Sequence, residues 1–197
     1  VKNPVWCGIS SGQLIDLNCP ESCTIDIRDI AHSLANINRF NGHLRHQITV
    51  ARHSVYVSDL VPETLRLAAL LHDAHEAYLG DIVRPVKSFL LAQHCGNVNE
   101  LEDWWQECIW SAFGHLPLDA SEKQTICEAD DLQLAREMAS LAPPGAFRDR
   151  GVQDLKNLGH GPESQIFPEY GRPRDDEKMF LARFQELFTV DHQQRVK

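Results

Sequence analysis

Leu70-Leu71-His72-Asp73-Ala74-His75-Glu76-Ala77-Tyr78-Leu79-Gly80-Asp81 is the stretch whose reading decides the fold. Leu67, Leu70, Leu71, Ala74, Ala77 and Tyr78 recur at steps of three and four, the period of an amphipathic helix. Pro62 suits the first turn of that helix and Gly80 its stop. On such a helix His72 and Glu76 stand four apart, and Asp73 and Glu76 three apart, so all three serve one small volume. Asp81 follows just past the end. Burying imidazole and carboxylate beside leucines is costly unless they are paired or bind a cation. A lone histidine on an apolar face reads as a hydrogen-bonded core residue. An adjacent His-Asp with further acid on the same face points instead to a metal or acid–base site. The zinc-protease spacing His-Glu-x-x-His is absent.

Upstream, Ile27, Ile30, Ala31, Leu34 and Ile37 mark a helix over 25–38, with Asp26 as N-cap and Asp29 in its first turn. It exits into Arg39-Phe40-Asn41-Gly42, a tight turn. An Arg followed by an aromatic at such an exit can clamp a phosphate and stack a sugar or base. Alone, the pair would read as a surface Arg beside a core Phe. A second helix over 49–61 buries Val50, Val57, Leu60 and Val61, and places His53 on the same side. Residues 1–24 show no helical period and read as an irregular arm or short hairpin, with Trp6 and Leu14 as anchors.

Downstream, Pro85 starts a short helix expected to bury Val86, Phe89 and Leu90, with Arg84 and Lys87 bringing positive charge beside the acids. Residues 99–113 form an amphipathic helix whose adjacent Trp104 and Trp105 exceed one core stripe. The next helix, over 120–141, is capped by Asp119 or Ser121 and turns Asp130 inward, with Glu137 on the same side and Asp131 exposed. Residues 142–174 are rich in Pro and Gly and read as a long, mostly irregular connection. A final helix runs from about Asp176 to Leu187 or Phe188. Strand-like alternation is scarce, so the fold class is all-α.

The 197 residues favour one domain, with boundaries expected at 1–24 for the arm, 25–188 for the helical unit and 189–197 for a polar tail. At 43% hydrophobic and 24% charged the chain can bury a core. Its net charge of −9 disfavours duplex nucleic acid, which needs a basic face. No apolar run suits a membrane helix and no signal-peptide pattern is visible at the start, so a cytoplasmic protein is expected. None of the six cysteines forms Cys-x-x-Cys, and a reducing compartment with free thiols is expected. Cys108 and Cys127 read as small core residues; Cys19 and Cys23 lack a second ligand pair.

His53, His72, Asp73 and Asp130 thus fall on separate buried helical faces. Two imidazoles and two carboxylates suit Mn²⁺, Co²⁺, Fe²⁺ or Zn²⁺ better than Ca²⁺ or a bare Mg²⁺ cage. With four protein ligands, a six-coordinate ion keeps positions for water and a substrate oxygen. Glu76 can orient or deprotonate that water, Asp81 is a second carboxylate for the nucleophile or leaving oxygen, and Arg39 and Lys87 offset phosphate charge.

The pattern His53…His72-Asp73…Asp130 resembles the HD-domain phosphohydrolases. Residues 30–43, 49–55, 70–81 and 128–137 are similar to a phage and bacterial branch, that of the 5′-deoxynucleotidases and small phage dATP triphosphohydrolases. The resemblance spans most of 5–188. It implies an HD-domain helical bundle and one divalent transition metal on His53, His72, Asp73 and Asp130. It further implies catalytic carboxylates at Glu76 and Asp81 and a substrate grip at Arg39-Phe40. Phe40 stands where the bacterial deoxynucleotidases of this branch carry Trp. The implied reaction is hydrolysis of a deoxynucleotide 5′ phosphoester, with dNTP triphosphohydrolysis or a non-catalytic nucleotide-binding module as alternatives. Lys87, Arg84 and Lys123 are the cations that two further phosphates would need. A homodimer or higher homo-oligomer is implied, as in other members. His75 has no role in the resemblance.

Overall fold

The structure, a computed structural model, describes residues 3–114, 117–160 and 172–195. Of its two expected forms the arm takes the hairpin. β1 (Trp6–Gly8) pairs antiparallel with β2 (Leu14–Asp16), setting Cys7 opposite Ile15. Ile15 is the anchor, at 3% exposure. Trp6 and Leu14, the expected anchors, are 61% and 67% exposed, because strand alternation sends them to the outer face.

α1 (Ile27–Asn36) starts at Asp26, whose carboxylate accepts from the Arg28 backbone N–H. α2 (Val50–Asp59) is capped by Thr49, whose hydroxyl accepts from the Arg52 N–H. The loop between them is laced to the start of α2, with Arg39 N–H donating to the Ile48 carbonyl and Val50 N–H to that of Ile37. Phe40 and Asn41 lie in left-handed backbone, φ 57° and 51°. For a bulky Phe this costs about 1–3 kcal/mol.

The stretch 66–79 is not one helix. α3 (Arg66–Leu70) and α4 (Glu76–Leu79) flank a turn over Leu71–His75. Through this turn the bonds tighten to i→i+3: His72 N–H donates to Ala69, Ala74 to Leu71, and Glu76 to Asp73. The apolar period remains, because a tighter turn keeps Leu70, Leu71 and Ala74 in the core. Gly80, at φ 81°, ends α4 with a backbone few other residues adopt, and releases the chain to Asp81.

α5 (Arg84–Ala92) is a rim helix that packs against α6 (Val98–Ala112). Val86 and Phe89, expected in the core, are 40% and 62% exposed. α5 instead turns Lys87 inward, toward Glu102 of α6. The two adjacent tryptophans part ways: Trp105 is fully buried and donates to the Leu17 carbonyl, while Trp104 donates to Glu21. α7 (Ala120–Leu141) opens with a reciprocal Asp119–Glu122 capping box. On it Cys127 is exposed rather than core.

The expected irregular connection contains a helix, α8 (Ala146–Asn157), which packs along α7. Gly151 makes this possible: a Cβ there would come within 2.6 Å of the Ala139 backbone N and of Met138 Cβ. Within that connection, residues 161–171 lie outside the described residues. α9 (Pro173–Arg195) begins earlier and runs longer than expected; residues 196–197 of the expected tail are also outside the described ones. Asp176 fastens α9 to the start of α2, accepting from the Thr49 hydroxyl and from Arg52. The main core is built from α1, α2, α3, α6 and α9 around Ile30, Leu34, Leu70, Trp105, Ile109 and Phe180. Each large apolar side chain buried there contributes about 1.5–3 kcal/mol. No helix among the described residues is long and apolar enough to cross a membrane.

Candidate metal centre

α2 brings His53 and α7 brings Asp130 to one end of the buried interface, and the Leu71–His75 turn delivers His72 and Asp73 between them. His53 Nε2 is 3.1 Å from Asp130 Oδ1 and 3.7 Å from Asp73 Oδ2. His72 Nε2 is 3.1 Å from Asp73 Oδ2 and 4.0 Å from Asp130 Oδ1. His53, His72 and Asp73 each offer one ligand atom, all within 4.8 Å of one another. The four residues singled out as ligands therefore converge on one small volume.

Each imidazole is oriented by its other nitrogen. His72 Nδ1 sits 2.8 Å from the Ala69 carbonyl, which can only accept, so Nδ1 donates there and Nε2 is turned toward Asp73. His53 Nδ1 lies 2.7 Å from Glu137 Oε1. Glu137, fully buried, also accepts from Arg39 Nε at 3.0 Å and from the Gln133 amide at 3.1 Å. One carboxylate thus aims both His53 and Arg39, the arrangement that outer partners of metal-binding histidines provide. Spacing alone left Glu137 without a role, because its partners Arg39 and His53 come from the α1–α2 loop and α2.

The electrostatics fit a cation. Burial and the Arg39 charge pull the His53 pKa down, yet Glu137 and Asp130 outweigh them and raise it to about 9. Burial would raise the Asp73 and Asp130 carboxyls; His72 and His53 instead hold Asp73 well below its usual range, and the His53 imidazole 3.1 Å away does the same for Asp130. The acids are kept ionised by the positive charge of the side chains that face them, His72, His53 and Arg39. Both imidazole Nε2 atoms are buried without a hydrogen-bond partner among the described residues. An N₂O₂ donor set with two unspent nitrogens fits a divalent transition ion.

Glu76, 5% exposed, has a carboxyl oxygen in the same state. Burial, then the charges of Asp73 and Asp81, push its pKa well above the usual carboxyl range. Burial chiefly raises Asp81 as well, against the pull of Arg39. Arg39 reaches the cage, with Nη1 3.4 Å from Asp73 and Nη2 3.9 Å from Asp130. Its guanidinium lies 5.6 Å from the Phe40 ring centroid, and Phe147 of α8 meets that ring edge-on at 5.7 Å. Lys87 is tied to Glu102 at 2.6 Å, and Arg84 to Asp130 and Asp131 at 2.7 and 2.6 Å.

The fold and this cluster define a mostly helical protein with a small hairpin and a part-buried group of imidazoles and carboxylates that could hold a cation. No family model matches the chain. Uncharacterized protein YfdR of Escherichia coli K12 is 54% identical over 169 residues, which cover 83% of this chain and 84% of that one. An uncharacterized protein of Rhodobacter capsulatus is 37% identical over 148 residues, 70% of this chain and 73% of the other. The chain belongs to the family of these two proteins. Among solved structures, a cyanophage S-2L HD phosphohydrolase, DatZ, bound to dA and one catalytic Zn²⁺ ion, aligns with 85% of this chain and 99% of its own. It does so at 14% identity and a TM-score of 0.45.

Proposed function

We propose that the chain is an HD-domain, metal-dependent phosphohydrolase that removes the 5′ phosphate of a deoxynucleoside monophosphate. The observation that carries this reading is the convergence of His53, His72, Asp73 and Asp130 with two buried, unspent imidazole nitrogens beside an unpartnered buried Glu76. The motif resemblance supports the same chemistry and the deoxynucleotide class.

His53, His72, Asp73 and Asp130 would hold one divalent ion, Co²⁺, Mn²⁺, Zn²⁺ or Fe²⁺. Bound there, it supplies a Lewis acid for a phosphoryl oxygen and lowers the pKa of water. Glu76 takes the proton of the attacking water, a task suited to a carboxyl held well above its usual range by burial. Asp81 returns a proton to the 5′ oxygen as the P–O bond breaks. Arg39 lies against the acids of the cage and offsets the charge of the phosphoryl oxygens. Phe40, presented by its left-handed turn, packs against the deoxyribose or base. Lys87 adds charge opposite Glu76 and Asp81.

Two of the cations that a triphosphate would need are already engaged: Arg84 with Asp130 and Asp131, and Lys123 with Glu107. That supports the monophosphate. Residues 25–188 are the proposed catalytic unit, acting as a homo-oligomer in the cytoplasm, where the free thiols suit reducing conditions. Purified protein is given dAMP and, separately, dATP, each with Co²⁺, Mn²⁺ or Zn²⁺. Release of inorganic phosphate and deoxyadenosine from dAMP is the expected result. Triphosphate from dATP with dAMP untouched replaces the monophosphate reading. Binding of both nucleotides without turnover under any metal replaces the enzyme with a binding module.

A further inference from the structure

The turn that carries His72 and Asp73 lacks the support of a regular helical ladder, and a side chain from elsewhere holds it. Gln106 of α6, 5% exposed, donates its amide to the Leu71 carbonyl at 2.7 Å. Its carbonyl oxygen faces the His75 backbone N–H at 3.3 Å and His75 Nδ1 at 3.0 Å. One amide therefore spans the first and last residues of the turn and fixes its width. His75 completes the arrangement. Its Nδ1 donates to Gln106, and its Nε2 points toward the Glu102 carboxylate 3.9 Å away, one helical turn earlier on α6. This gives His75, the third imidazole of the opening stretch, a place beside the cage rather than in it.

We propose that Gln106 is a positioning residue for the metal centre, acting through Leu71 and His75 to set the angle at which His72 and Asp73 are presented. The geometry is specific to this amide. A side chain with only acceptors loses the bond to the Leu71 carbonyl, and an apolar one of equal length leaves both turn ends unsatisfied in a buried place. Because two ligands sit between the clamped ends, a small change in turn width moves both at once relative to His53 and Asp130. Outer partners of a metal site typically alter affinity by about 10–100-fold.

The inference rests on the cage assigned above, and the test separates the two. Co²⁺ is titrated into metal-free full-length protein and followed by its d–d absorption, with Tm measured in parallel. Gln106→Met removes both ends of the clamp, Gln106→Glu keeps the acceptor and loses the donor, and Leu187→Ala, in the α9 core, serves as a stability control. The expected order of affinity is wild type, then Gln106→Glu, then Gln106→Met, the last weaker by about ten-fold with a shifted d–d band. Leu187→Ala is expected to lower Tm while leaving affinity and band unchanged. Wild-type affinity and spectrum in Gln106→Met overturn the proposal, as does equal loss in Leu187→Ala. If Gln106→Met does not fold, Gln106→Glu decides: weaker binding supports the clamp, and unchanged binding overturns it. A wild-type protein that takes up no Co²⁺ overturns the cage and the clamp's metal role with it, whereas wild-type binding with unchanged Gln106 variants overturns the clamp alone.

Discussion

The two sides of the cage are built by different means. His53 and Asp130 stand on α2 and α7, regular helices whose own ladders fix their directions and whose caps are Thr49 and Asp119. His72 and Asp73 stand on a turn of i→i+3 bonds between two short helices. The helical side is tuned by a charge, Glu137, reaching His53 and Arg39. The turn side is tuned by neutral groups, the Ala69 carbonyl and the Gln106 amide. Regular secondary structure can aim a ligand once it is docked; an irregular segment needs partners at both ends to do the same.

The sharpest way to break this comparison is to remove one ligand from each side. Asp73→Ala and Asp130→Ala are both expected to lose bound metal, measured by elemental analysis, and to drop hydrolysis to the uncatalysed background. Retention of metal and turnover by either would show that its side is dispensable. Glu76→Ala is expected to keep the metal and lose about 10²–10⁴-fold in kcat, the usual contribution of a positioned acid or base. Loss of the metal from that variant would place Glu76 among the ligands instead.

Glu137→Gln probes the helical side alone. It keeps the shape but removes the charge that His53 and Arg39 share. Co²⁺ affinity is expected to fall by about 10–100-fold with the helices intact by circular dichroism. Gly151→Ala, far from the turn, tests packing without chemistry. Its Cβ meets the α7 backbone, so urea denaturation is expected to show a loss of about 1–3 kcal/mol, with metal affinity per folded molecule unchanged. A change in affinity there would mean that the α7–α8 contact also sets Asp130.

Much of this is written in local sequence. Asp26 caps the helix it is expected to cap, α7 uses Asp119 of its two expected caps, and the inward faces of α2 and α7 place His53 and Asp130 where periodicity puts them. The break at Leu71–His75 is not legible, because a turn tightened by one residue leaves the apolar spacing intact. α8 is hidden behind residues that ordinarily end helices: Pro143-Pro144-Gly145 precede it, and Gly151 lies inside it, there for close approach to α7 rather than for a turn. The exposed faces of Val86 and Phe89 escaped for the opposite reason, since an apolar stripe does not say whether anything covers it. Glu137 and Gln106 are polar residues on buried faces, and that mismatch was the available signal. What each one touches depends on how the helices dock, which no single segment encodes.

The most direct test is a crystal of the wild-type protein soaked in Co²⁺ and measured at the cobalt absorption edge. The account predicts one strong anomalous peak bounded by His53 Nε2, His72 Nε2 and the carboxylates of Asp73 and Asp130. An anomalous map that is empty there, or whose peak lies among other residues, would contradict it.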